Sequence, residues 1–119
     1  MLQNDFFNIL EFKQEADSIE ASLELNPSHK IFEGHFPDQP VVPGVCMMQM
    51  QKELLEKAMG RKTNLRKADH AKFLSMIDPG VNRLITAHIQ FVRNDDTINL
   101  TGSFTQGEIV FFKYRSIFV

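Results

Sequence analysis

At 119 residues, 43% of them hydrophobic and 24% charged, the chain has the make-up of one folded domain and excludes disordered or collagen-like classes. A formal net charge of -2 gives no global pull toward nucleic acid, no stretch reaches the roughly 20 consecutive apolar residues of a membrane-spanning helix, and a lone cysteine, Cys46, forms no internal disulfide. With an N-terminus, MLQNDFFNILEFKQEA, that has neither a basic start nor a long apolar run, these features lead us to expect a single domain over 1–119, in a reducing cytoplasmic setting, binding no nucleic acid and crossing no membrane.

In chain order, the stretch from Phe6 to Lys13 mixes apolar and polar residues without helical spacing. From Ile19 through Ala21, Leu23 and Leu25 every second residue is apolar, the mark of a strand with one buried face. Ala16 and Asp17 sit where a turn would join the two into a hairpin. From Asn26 to Gly44 the prolines and glycines are too dense for regular structure, so an ordered loop is expected. Val45 to Met59 then runs free of Gly and Pro, with Met47, Met48, Met50, Leu54, Leu55, Ala58 and Met59 on one side of a helix. Pro43 suits the start of that helix, and Gly60 its end, with Lys57, Arg61 and Lys62 at the negative end of its dipole. Strand patterns follow over Ala68–Ile77, Arg83–Arg93, Thr97–Phe104 and Glu108–Val119, with turns at Asp78–Gly80, Asn94–Asp96 and Gln106–Gly107. One hairpin, one long helix and a meander of three or four strands predict an α+β domain in which an antiparallel sheet covers the helix. Eleven phenylalanines and no tryptophan predict a core built largely on Phe.

The stretch that carries chemistry is His35-Phe36-Pro37-Asp38-Gln39-Pro40-Val41-Val42-Pro43-Gly44-Val45. Prolines at every third position lower the entropy of ordering the loop and hold His35 in one place. Gly44 has no side chain, so a substrate oxygen can approach its N–H and the unpaired N–H groups of the first helical turn, where the dipole favours developing negative charge. A fixed base beside an oxyanion site is what removal of a proton α to a thioester carbonyl demands. The same residues also suit an ordinary loop whose prolines merely stiffen a connection.

HFPxxPxxPGV, opening a long helix, resembles the signature of the beta-hydroxyacyl-acyl-carrier-protein dehydratases of the FabZ and FabA type. Phe32-Glu33-Gly34 ahead of His35, Asp69-His70-Ala71-Lys72-Phe73, and Asp78-Pro79-Gly80 extend the similarity. The resemblance implies a hot-dog fold, a sheet wrapped around one helix, and a homodimer or trimer of dimers whose sites are shared across the subunit interface. It further implies a lyase of fatty-acid biosynthesis that acts on (3R)-hydroxyacyl groups held on acyl carrier protein, without a cofactor or metal. In it His35 takes the C2 proton, the Gly44 N–H polarises the thioester carbonyl, and position 49 assists loss of the hydroxyl. Phe36, Pro43, Val45, Met48 and Phe73 are the expected substrate contacts.

Position 49 departs from the pattern, because the family carries Glu or Asp there and this chain has Gln49. An amide cannot donate a proton as a carboxylic acid does, and losing that assistance raises a barrier by about 3 to 5 kcal/mol. Gln49 can still orient a hydroxyl or a water. It also falls on the side of Lys52, Glu53 and Glu56, where it would begin a solvated face. Glu53 is the nearby replacement acid, displaced by one helical turn of about 5.4 Å. Two alternatives therefore stand beside the dehydratase: a non-catalytic subunit that binds an acyl thioester or pairs with an active dehydratase, and a hot-dog thioesterase. Carrier protein and coenzyme A are equally compatible with the residues. The Met47, Met48, Met50 and Met59 stripe, with Phe73 and Met76, serves core packing or lines an acyl tunnel. Arg61, Lys62, Arg66 and Lys67 suit a helix cap or a dock for an acidic carrier. His29, His70 and His88 have no metal-ligand spacing.

Overall fold

The computed structural model describes residues 1–34 and 40–119. The candidate base His35 and the candidate substrate contact Phe36 lie outside the described residues, as does Pro37.

The hairpin forms as its alternation predicts. β1 (Phe7–Gln14) pairs antiparallel with β2 (Ser18–Leu25), Phe7 opposite Leu25 and Gln14 opposite Ile19. In β2 the apolar set Ile19, Ala21, Leu23 and Leu25 is buried. The loop expected after it contains a single helical turn, α1 (Ile31–Gly34). His29 starts that turn: its Nδ1 accepts the Ile31 N–H at 3.1 Å, which leaves Nε2 to donate to the Asp5 carboxylate at 3.0 Å. Phe32 anchors it by stacking on Phe6, ring centroids 5.4 Å apart.

The long helix, α2 (Gly44–Met59), begins after Pro43 and ends at Gly60, whose φ of 70 lets its N–H close on the Glu56 carbonyl at 2.9 Å. A side chain would strain that left-handed backbone, so glycine is the natural stop. Four further strands follow: β3 (Leu65–Phe73), β4 (Leu84–Asn94), β5 (Thr97–Gln106) and β6 (Ile109–Phe118). They complete a six-stranded sheet in the order β1-β2-β4-β5-β6-β3, and every pairing is antiparallel.

Two expectations are corrected. The strand predicted over Ala68–Ile77 runs instead from Leu65 to Phe73, and it does not meander into β4; it pairs with β6 at the far edge, Phe73 opposite Phe112. β4 goes to the middle, Ala87 lying opposite both Ala21 and Phe104. The chain between them turns on Asp78, whose carboxylate accepts the Gly80 N–H at 2.9 Å, and the Val42 N–H pairs with the Ile77 carbonyl at 2.9 Å, fixing the approach to α2. The second correction concerns the polar side of α2. Glu53 is buried and not part of a solvated face, because the N-terminal segment closes over it; Gln51, on which the sequence made no statement, is buried as well.

The core is phenylalanine-rich as composition predicts. Met47, Met50 and Leu54 of α2 pack with Phe91, Phe104, Phe112 and Phe118 from the inner face of the sheet. Each such side chain contributes roughly 1.5 to 3 kcal/mol on burial. Gln51 faces this core with its Nε2 donating to the Ser103 carbonyl at 3.2 Å, while its Oε1 finds no partner among the described residues.

Candidate active site

Pro43 is the residue ahead of α2, with extended φ -63 and ψ 147, and its carbonyl accepts the N–H groups of Cys46 and Met47 at 3.0 and 3.2 Å. Among the described residues no acceptor takes the Gly44 N–H, so the first turn presents a donor at the positive end of the helix dipole. Close approach of a side chain favours glycine there. A Cβ at position 44 would lie 2.7 Å from Cζ of Phe73, whose ring stacks on Phe112 at 5.0 Å between centroids. Phe73 thus covers the helix start while 54% of its own surface stays exposed.

Gln49 lies about 7.5 Å further along the helix axis. It lines a cavity of about 230 Å3 together with Val45, Met48, Lys52, Leu65, Tyr114 and Phe118. The lining is mostly apolar, with Gln49, Lys52 and Tyr114 as the residues that carry polar groups. The Gln49 Nε2 donates to Oε2 of Glu53 at 2.9 Å. Glu53 in turn accepts the backbone N–H groups of Leu2 and Gln3, both at 2.8 Å, and is only 3% exposed. Glu53 is therefore engaged by three donors, which argues against its standing in as a displaced acid.

Of the expected contacts, Val45 and Met48 line the Gln49 cavity, whereas Pro43 and Phe73 sit at the helix start and not in its wall. Met47 and Met50 are core residues, so the methionine stripe packs rather than lines a tunnel, Met48 excepted. Lys52, Leu65, Tyr114 and Phe118 were not foreseen as lining; Lys52 stands three residues after Gln49 on α2, a spacing that could have indicated it, whereas strand β6 and the start of β3 bring the other three, for which sequence spacing carries no signal. The i, i+4 spacing of Gln49 and Glu53 could have indicated their pairing.

A larger hollow of about 880 Å3 spans the outer face of the sheet, with Glu20, His88, Ser103, Lys113 and Lys72 in its lining. It lies on the side of the sheet away from α2 and contains neither the helix start nor Gln49, so we place the candidate site at the smaller cavity. Arg61, Lys62, Arg66 and Lys67 are exposed, Lys67 pairing with Asp69 at 3.1 Å. No group of His, Cys, Asp or Glu among the described residues could hold a metal ion. Burial pushes the Cys46 thiol up, which makes it a core residue and not a nucleophile. The Tyr114 phenol is likewise pushed up by burial, an effect its neighbour Ser116 partly offsets.

Comparison with known proteins gives a consistent picture. The family model described as ApeI-like, ApeI dehydratase, matches residues 11–113. The 3-hydroxyacyl-acyl-carrier-protein dehydratase FabZ of Clostridium acetobutylicum is 37% identical over 60 residues, covering 44% of this chain and 43% of its own. FabZ of Fusobacterium nucleatum is 26% identical over 113 residues, covering 82% and 80%. The chain thus spans from under half to four fifths of these relatives' length. Among solved structures, the dehydratase heterocomplex ApeI:P from Xenorhabdus doucetiae matches with a TM-score of 0.75 at 18% identity, over 92% of this chain and 95% of that one. The fold is the hot-dog fold, with α2 as the helix that the sheet wraps.

Proposed function

The chain belongs to the ApeI-like dehydratase family, and from that membership we propose that it converts a (3R)-hydroxyacyl thioester of acyl carrier protein to the trans-2-enoyl thioester. One observation carries the reading beyond the family match: a side-chain-free helix start at Gly44 and a polar residue at position 49 border one end of α2. In this reading His35 takes the C2 proton while the Gly44 N–H and the helix dipole stabilise the enolate-like thioester oxygen. The electron pair of the C2–H bond then forms the C2=C3 bond, the C3–O bond breaks, and the hydroxyl leaves as water with the proton returned from His35. Gln49 orients that hydroxyl. Phe36, Pro43, Val45, Met48 and Phe73 would contact the acyl chain.

Subunit pairing fits the same reading. β3 ends the sheet, all nine of its residues are exposed, and Leu65 and Phe73 are large apolar side chains among them. An uncovered edge of that length is a template for a second copy, giving the homodimer or trimer of dimers in which sites are shared. No helix among the described residues is long and apolar enough to cross a membrane.

Product analysis tests the chemistry. Incubated with a (3R)-hydroxyacyl carrier protein, the purified protein is expected to give enoyl thioester and water, and to leave an acyl thioester lacking the 3-hydroxyl untouched. Free thiol from the latter would overturn dehydration in favour of thioester hydrolysis. Gln49 favours one further reading, a non-catalytic subunit that binds the thioester beside an active homologue. That reading predicts silence alone and turnover once a partner supplies the acid.

A further inference from the structure

Gln49 and Glu53 form a donor–acceptor pair whose orientation chemistry dictates. A carboxylate only accepts hydrogen bonds, so the amide must turn its Nε2 toward Glu53, and the 2.9 Å contact leaves the Gln49 carbonyl oxygen on the opposite side of the amide. Glu53 cannot swing to suit its neighbour, because the Leu2 and Gln3 N–H groups hold both of its oxygens at 2.8 Å and it is 3% exposed. The N-terminal segment thus fixes Glu53, and Glu53 fixes Gln49.

We propose that Glu53 is a positioning residue that sets what position 49 offers the cavity: an amide held by its nitrogen, with a carbonyl oxygen that has no donor among the described residues and accepts a hydrogen bond from a hydroxyl of the bound acyl group. The choice of hydroxyl as ligand rests on the dehydratase reading; the pairing itself does not. The pair also constrains chemistry. A carboxylate at position 49 would meet the Glu53 carboxylate at hydrogen-bond distance, so with both ionised the pair repels, and an acid at position 49 is best accommodated by a neutral partner at position 53. Gln49→Glu alone is then a poor way to install the acid; the exchange Gln49→Glu/Glu53→Gln keeps a donor facing an acceptor between the two side chains, at the expense of the Leu2 N–H, which then faces the amide nitrogen.

A double-mutant cycle on the full chain tests this. Thermal melting is measured for wild type, Gln49→Glu, Glu53→Gln and the exchange at pH 5 and pH 8. Gln49→Glu is expected to melt about 5 °C below wild type at pH 8 and closer to it at pH 5, where one carboxyl of the pair regains a proton. The exchange also carries the Glu53→Gln loss of the Leu2 contact, so at pH 8 it should melt higher than the two single losses added together predict. If Gln49→Glu does not fold, the exchange should still melt no lower than Glu53→Gln. Strictly additive losses, or a Gln49→Glu loss that is equal at both pH values, would overturn the positioning role. Turnover of a (3R)-hydroxyacyl thioester is followed in parallel, with the exchange expected to exceed Gln49→Glu at least tenfold. Coupled melting with all four proteins silent on that substrate would uphold the positioning role and sink the functional reading instead.

Discussion

Gly102 marks the place in β5 where the sheet has no room for a side chain, since a Cβ there would fall on the side-chain oxygen of Gln51. Gly102→Ala forces Gln51 away from Ser103 or moves the strand. Overpacking of this kind costs about 1 to 3 kcal/mol, so the denaturation midpoint should fall; an unchanged midpoint would show that Gln51 moves freely. Nothing in the sequence announces this contact, because the burial of Gln51 is imposed by the sheet and helical spacing does not specify which strand passes it. Burial also acts on Cys46 and Tyr114, pushing both groups' pKa up. Each then has a folded pKa above its unfolded one, so the stability it contributes is complete below the unfolded value and is lost as pH rises through the folded value. The melting temperature should accordingly fall above about pH 9, where free thiols and then phenols ionise. The double variant Cys46→Ala/Tyr114→Phe should flatten that fall, and an identical slope would contradict the assignment.

At the scale of elements, the start of α2 is where sequence and structure speak to the same question. Pro43, Gly44 and the uninterrupted run to Met59 are readable without coordinates, because proline, glycine and helical periodicity are local signals. What covers the start is not local. Phe73 reaches Gly44 only because β3 crosses to the far edge and pairs with β6, and strand patterns do not specify their partners. Gly44→Ala separates the helix's stability from its chemistry. The added methyl collides with a half-exposed ring that can swing aside, so stability should change by less than about 1 kcal/mol. The same methyl stands beside the proposed carbonyl donor, and loss of one such donor costs roughly 10²- to 10³-fold in turnover. Full turnover by Gly44→Ala would remove the helix start from the site. α1 escaped the sequence reading because a single turn has no period to detect; the His29 cap and the Phe6–Phe32 stack hold it.

For the whole molecule, the hot-dog arrangement was legible because the HFPxxPxxPGV motif and the hairpin-helix-sheet order agree over most of the chain. Sheet order was less so, as was the embedding of Glu53, which depends on the N-terminal segment folding back across a separation of about fifty residues. That embedding changes the meaning of Gln49, from the start of a solvated face to a held amide beside a cavity. A held amide can orient a hydroxyl, and a base at position 35 can do the rest. The most direct test is enoyl formation from a (3R)-hydroxyacyl carrier protein by purified wild type beside His35→Ala. Turnover by wild type that falls at least 10³-fold in His35→Ala is the predicted result. Equal turnover by the two proteins would contradict a dehydratase built on His35.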